Sequence, residues 1–233
     1  MKKILFAAMA LGVLTSCKGL KVSYSDNEPG VNQRRELTGF ERIEQLGSLD
    51  VKYQQADTFS VYVNAPSDIL KHVETRVDAN KLIVHMKGDG KVINLGVKDG
   101  DDVTVYVTSP DLIGIDLKGS GDFDCKGHLD TDRLDISLNG SGDVEFDDVI
   151  CDDIDVSLVG SGDVEVKQVQ TLRSRVNLVG SGDVSMRFVN SGDVEAKLLG
   201  SGDIKLKGDV RRSKYEKRGS GDIEVRELRV SNP

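Results

Sequence analysis

The chain has 233 residues, a formal net charge of −8, 5% aromatic residues and no tryptophan. The acidic balance speaks against a nucleic-acid ligand, which needs a basic face, and the scarcity of aromatic rings speaks against a large stacking pocket for sugars or bases. The three cysteines, Cys17, Cys125 and Cys151, are too few for a disulfide scaffold.

Met1-Lys2-Lys3 leads into an apolar run from Ile4 to Leu14 and then into Leu14-Thr15-Ser16-Cys17. A basic start, a short apolar core and small residues before a cysteine predict a lipoprotein signal peptide over residues 1–16. Cys17 is then the first mature residue and the lipid anchor. Its thiol takes a diacylglyceryl group, and acyl chains at about 0.8 kcal/mol per buried methylene make a stable attachment. An ordinary signal peptide with an incidental cysteine is the alternative. The apolar run is too short for a transmembrane helix.

Residues 17–35 are expected to form a tether, and residues 36–110 an atypical β-rich N-terminal module. Its candidate strands are Phe40 to Glu44, Leu49 to Tyr53, Phe59 to Val63, Leu82 to Met86 and Val103 to Thr108. An open solenoid end exposes unpaired backbone and core, so a module of this kind is suited to cover one. Sequence alone leaves open whether it continues the coil or folds apart from it.

Residues 111–233 carry the decisive pattern, Ser-Gly-Asp followed by an apolar residue, at Ser120, Ser141, Ser161, Ser181, Ser191, Ser201 and Ser220. From Ser141 to Ser201 the period is 20 residues, with half-spacings of 10 around Ser191. Fixed-period self-similarity marks stacked supersecondary units. Within each unit apolar residues alternate with polar ones, as in a half-buried strand. The first inward column is Phe123, Val144, Val164, Val184, Ile204 and Ile223, and the second is Cys125, Phe146, Val166, Met186, Leu206 and Val225. A second strand precedes each corner, as in Leu134-Ile136-Leu138 and Ile154-Val156-Leu158. The predicted fold is all-β: a single-stranded parallel β-helix, or solenoid, with coils of about twenty residues and a right-handed winding, the usual hand of parallel crossovers.

Glycines at the Gly-Ser-Gly-Asp corner accept backbone angles that a Cβ forbids, and Asp and Ser bond nearby amides. Stacking Asp122, Asp143, Asp163, Asp183 and Asp203 brings like charges together. That needs amide hydrogen bonds to each carboxylate, or a calcium ion between them. Amide capping is the preferred account because the Gly-Gly-x-Gly-x-Asp of calcium-binding β-rolls is absent. Cys125 belongs to an inward column and Cys151 aligns with Ser191 at the opposite corner, too far apart for a disulfide.

The Leu-x-Gly-Ser-Gly-Asp-Val units, entered through Val103-Thr104-Val105-Tyr106-Val107-Thr108-Ser109-Pro110-Asp111-Leu112, resemble the family named putative auto-transporter adhesin, head GIN domain. Gly39-Phe40-Glu41-Arg42-Ile43 fits the start of that domain, so the resemblance runs from about residue 36 to the C-terminus. It implies a β-helical fold and a cell-envelope role, with adhesion suggested by the family's label, and it supplies no catalytic residues to carry over.

Two outer columns are expected on the first sheet, one acidic (Asp124, Glu145, Glu165, Glu224) and one largely basic (Lys126, Lys167, Arg187, Lys207, Arg226). The run Arg211-Arg212-Ser213-Lys214-Tyr215-Glu216-Lys217-Arg218 interrupts the aliphatic column, and edge protection by charge explains it. Val159, Val179 and Leu199 precede corner glycines in an outward phase. They either tuck under the corner or form a contact surface for another protomer or partner. His72, His85 and His128 share no ligand spacing, and no catalytic constellation or cofactor motif is visible.

The function these residues point to is a non-catalytic, lipid-anchored cell-envelope interaction or adhesion module. Its partners are expected to be the membrane, through the anchor, and a protein, a glycan or another copy of the chain, but not nucleic acid. The expected location is the outer membrane, with the surface or periplasmic face unassigned. The alternative is a periplasm-facing structural or sensory lipoprotein; a polysaccharide-active enzyme, working through paired carboxylates, ranks below both.

Overall fold

The computed structural model describes residues 31–87 and 103–231. The signal peptide, Cys17 and the first part of the tether lie outside the described residues. In chain order the elements are β1 (Val31–Arg35), β2 (Arg42–Gly47), β3 (Asp50–Gln55), β4 (Ser60–Ala65), α1 (Ser67–Leu70), β5 (Val73–Asp78), β6 (Lys81–Met86) and β7 (Thr104–Ser109). There follow β8 (Gly114–Gly119), β9 (Phe123–Asp130), β10 (Arg133–Gly140), β11 (Val144–Gly160), β12 (Val164–Gly180), β13 (Val184–Gly200), β14 (Ile204–Gly219), β15 (Ile223–Glu224) and β16 (Leu228–Val230).

From β8 onward the strands stack in parallel, each coil on the one before. Between β11 and β12 every partner is twenty residues away, from Val144 opposite Val164 to Gly160 opposite Gly180. Equal coil length is what makes this register available, since identical corners then lie above one another. One face of the stack comprises β8, β10 and the second halves of β11 to β14. The other comprises β9, the first halves of β11 to β14, then β15 and β16.

The alternation seen in the sequence is the alternation of burial. Phe123, Val144, Val164, Val184 and Ile204 form one fully buried column, and Cys125, Phe146, Val166, Met186 and Leu206 a second. Leu138, Leu158, Leu178 and Leu198 close the core from the other face. Each buried aliphatic side chain contributes about 1.5–3 kcal/mol relative to exposure. The Phe123 and Phe146 rings pack 5.6 Å apart between their centroids.

The corner glycines sit where the backbones of successive coils meet. A Cβ on Gly160 would lie 2.0 Å from the Gly140 carbonyl oxygen, and one on Gly162 would lie 1.9 Å from that of Gly142. At the opposite corner a buried small-residue column runs through Thr131, Cys151, Thr171 and Ser191. Thr171 Oγ1 donates to the carbonyls of Asp152 and Arg173, each at 3.0 Å, and the Thr171 amide donates to Ser191 Oγ at 3.2 Å. The half-spaced Ser191-Gly192-Asp193 therefore belongs to this second corner, where Gly192 lies over the Leu172 carbonyl. Cys125 and Cys151 are both buried free thiols.

Parallel stacking also extends toward the N-terminus of the repeats. β2 lies in register with β8, Ile43 opposite Ile115, and β3 with β9, Val51 opposite Phe123. Their connection, Gly47-Ser48-Leu49-Asp50, occupies the corner position, with the Ser120 amide donating to the Gly47 carbonyl at 2.9 Å. Beyond this layer β6 runs parallel to β2 and β7 parallel to β3. The strands outside them reverse: β5 is antiparallel to β6, β4 to β7 and β1 to β4.

Val31–Arg35 thus departs from the tether expected there, since it pairs from Val31 opposite Ala65 to Arg35 opposite Val61. Its Val-Asn-Gln-Arg-Arg has no apolar alternation, so backbone pairing rather than side-chain burial makes it a strand. β5 and the single turn α1 were not anticipated either. The expected strand Phe40 to Glu44 is observed at Arg42–Gly47.

Candidate interaction surface

The stacking register decides what the outer surface offers. Val159, Val179 and Leu199 are Cα partners in successive coils, each one residue before a corner glycine. Those glycines, Gly160, Gly180 and Gly200, take φ of 142°, 140° and 146°. The three side chains do not tuck under the corner: they are 43%, 41% and 53% exposed. At about 4.8 Å per coil the stripe is about 10 Å long. The same column holds Lys118 and Asn139 before it and Arg218 after it, so polar residues bound it at both ends. Ser157, Asn177 and Lys197 run beside it on the same face.

The aspartates at the adjoining corner form a continuous hydrogen-bonded ladder. Oδ1 of Asp50 accepts the Asp122 amide at 2.9 Å, Asp122 accepts Asp143 at 2.9 Å, and Asp143 accepts Asp163 at 2.9 Å. Asp163 accepts Asp183 at 2.8 Å, Asp183 accepts Asp203 at 2.9 Å, and Asp203 accepts Asp222 at 2.8 Å. Each carboxylate thereby has an amide donor from the next coil, the interaction that offsets the repulsion along the column. Among the described residues no three His, Cys, Asp or Glu side chains converge in a way that could hold a metal ion.

On the β9-side face the two expected charge columns are less separate than the sequence implied. Asp147 enters the basic column at a bulge between Phe146 and Asp148. Lys126 donates to Glu145 at 2.6 Å, and Lys167 bonds both Glu145 and Asp147. The two lysine hydrogen bonds, Lys126 first, hold the Glu145 carboxyl below its ordinary range. Ser185 and Lys205 interrupt the acidic column between Glu165 and Glu224.

The opposite face carries a charge ladder that sequence reasoning missed. One column reads Arg133, Asp153, Arg173, Asp193, Arg212, alternating in sign at every coil. Its neighbour reads Asp135, Asp155, Arg175, Glu195, Lys214. Arg173 Nη2 reaches Asp153 at 2.7 Å, Arg175 reaches Asp155 at 3.1 Å, and both Arg211 and Arg212 bond Asp193. Asp153 is held below its ordinary range chiefly by the Arg173 hydrogen bond, and Asp193 by Arg212 and then Arg211. The signal that could have found this ladder was present: charges of alternating sign at twenty-residue spacing.

A shallow cavity of about 350 Å³ lies at the second corner of the last coil, between Asn190, Asp209, Arg211 and Arg229. Its arginines are bonded to aspartates, Arg229 to Asp209 and Arg211 to Asp193. Of the histidines, His128 Nδ1 lies 2.7 Å from Asp148, and His85 Nε2 lies 3.9 Å from Glu74. No helix among the described residues is long and apolar enough to cross a membrane.

The family described as putative auto-transporter adhesin, head GIN domain matches residues 39–168 and 160–233. No curated protein matches the chain. Among solved structures, a putative adhesin from Bacteroides fragilis is similar with a TM-score of 0.65 and 23% identity, over 84% of this chain and 96% of that one. A putative adhesin from Parabacteroides merdae aligns with a TM-score of 0.58 and 16% identity, over 85% and 97% of the two chains. A protein from Parabacteroides distasonis described as a putative lipid binding protein aligns with a TM-score of 0.55 and 20% identity, over 85% and 97%. At these identities the likeness is one of fold.

Proposed function

Because the chain belongs to the putative auto-transporter adhesin, head GIN domain family, we propose that it is a non-catalytic cell-envelope adhesion module, lipid-anchored through Cys17. The solenoid is the presenting scaffold. Its coils are locked by parallel pairing and a continuous core, so outer side chains keep fixed spacing without paying for order at each encounter.

The observation that carries this reading is the exposed stripe of Val159, Val179 and Leu199. Isolated surface aliphatics need no explanation, but three in register on successive coils, bounded by polar residues, make a built apolar line. Many of the charges elsewhere are paired within the ladders, and charge keeps the remaining faces solvated.

The test is attachment by cells that display the full chain. Val159→Asp, Val179→Asp and Leu199→Asp together should abolish attachment, with far-UV circular dichroism and thermal melting close to wild type. Attachment at the wild-type level by that folded variant would overturn the stripe as the contact surface.

A further inference from the structure

Among the described residues, the C-terminal end of the solenoid is open along part of one strand. β14 pairs with β13 over its whole length. On its other edge β15 covers only Ile204 and Lys205, and β16 only Gly208 to Val210. Among the described residues no strand pairs with that edge over Arg211–Gly219. An unpaired edge of this kind offers backbone groups to an added strand.

The side chains on this edge state what the added strand should carry. Arg211, Arg212, Lys214, Lys217 and Arg218 stand against Glu216 alone, in a chain of net charge −8. Asp193 takes both Arg211 and Arg212, Glu195 takes both Lys197 and Lys214, Lys217 bonds Asp222, and Arg218 bonds Glu216. The cations are still 42–76% exposed. Two copies meeting edge to edge would set these cations against one another, which disfavours self-pairing.

The closed edge shows the complementary pattern. On β13, Asp193 faces Arg212, Glu195 faces Lys214 and Lys197 faces Glu216, while on the core side Val194, Ala196 and Leu198 face Ser213, Tyr215 and Lys217. The ladder stops at Arg212 and Lys214, so a further coil in the same alternation would again bring carboxylates.

We propose that the free edge of β14 is a docking site for an extended polypeptide strand with two acids and then a base at alternate positions (acid-x-acid-x-base), which adds to the sheet as its next strand opposite Arg212, Lys214 and Glu216. This rests on the adhesion module proposed above and names a partner class for it, at an edge whose Arg218 adjoins the end of the apolar stripe.

The probe is a fluorescein-labelled peptide with the chain's own sequence from Ser191 to Gly200, which already satisfies the pattern, titrated into the full chain and followed by anisotropy. Saturable binding is expected, together with at least about tenfold weaker binding of a peptide whose two acids are lysines and whose lysine is glutamate. A third peptide, N-methylated at alternate residues, keeps the charges and loses the edge hydrogen bonds, and it should not bind. Arg212→Glu with Lys214→Glu should reverse the preference between the charged peptides, provided melting shows the variant folded. No binding by the native-sequence peptide, equal binding of the sign-reversed peptide, or full binding of the N-methylated peptide would each overturn the proposal. The double variant Val159→Asp with Val179→Asp, which leaves β13 and β14 untouched, should bind the peptide as wild type does, so failure at the edge and failure of the adhesion reading are separable.

Discussion

At the residue scale, the corner glycines answer two different demands, and substitution separates them. Gly47 takes φ of 99° with nothing near its missing Cβ, whereas Gly162 has its own missing Cβ against the Gly142 carbonyl. Gly47→Ala should therefore cost only backbone strain, about 1–2 kcal/mol. Gly162→Ala forces two coils apart and should cost about 3 kcal/mol or more. Equilibrium urea unfolding of the two variants checks the order; equal losses would show that stacking proximity is not what selects the second glycine. The aspartate ladder makes a separate prediction. If amides alone stabilise Asp122 through Asp203, a chelator should leave the melting temperature of the purified protein unchanged, and a fall of several degrees would install calcium in the column.

At the scale of elements, the charge ladders tie coil to coil, and their contribution depends on pH with a definite sign. Glu145, Asp153 and Glu44 are held below their ordinary range by Lys126, Arg173 and Lys81 respectively. A carboxylate depressed in the folded state contributes fully above its unfolded pKa, about 3.9 for Asp and 4.3 for Glu. That contribution is lost as pH falls through the folded value. Lys118 is raised by its bonds to Asp116 and Glu44, so its contribution persists at neutral pH and disappears only as pH rises past its folded value, above about 10.4. Melting temperature should be nearly flat from about pH 5 to 9 and fall below about pH 4. Each exposed pair is worth little alone, so single Arg→Ala changes should shift stability by less than about 1 kcal/mol.

The repeat half was legible in the sequence because equal coil length turns spacing into register. Phe123, Val144 and Val164 could be aligned on paper for the reason they align in space. In the N-terminal layer most strands were legible, but their continuation of the coil was not, and Leu49 shows why. Gly121 must be glycine because the Leu49 carbonyl sits under it, whereas Leu49 stands at the matching corner position with its own side chain turned inward and buried, so the Gly-Ser-Gly-Asp signature is missing there. Gln45 obscured the same layer from the other strand. It occupies the Leu117 position of the core, 2% exposed, where its Nε2 donates to the carbonyls of Leu49 at 2.6 Å and Asp122 at 3.0 Å. A buried amide in an aliphatic column hides the alternation while closing the corner. For the candidate site, the outward phase of Val159, Val179 and Leu199 could be read from alternation, but their exposure could not. It depends on how far the glycine turn lifts the preceding residue from the corner.

For the whole molecule, the two ends differ in how they stop the sheet. At the N-terminal end the strand direction reverses into the edge strands β1 and β5, while at the other end charge lies along the part of β14 that no described strand covers. The adhesion account depends most on the chain being displayed where a partner can reach it. That is tested by protease and antibody access to a C-terminally tagged chain on intact cells, compared with cells whose outer membrane has been permeabilised. Access on intact cells is the predicted result. Protection until permeabilisation would contradict the account and turn the search to periplasmic partners.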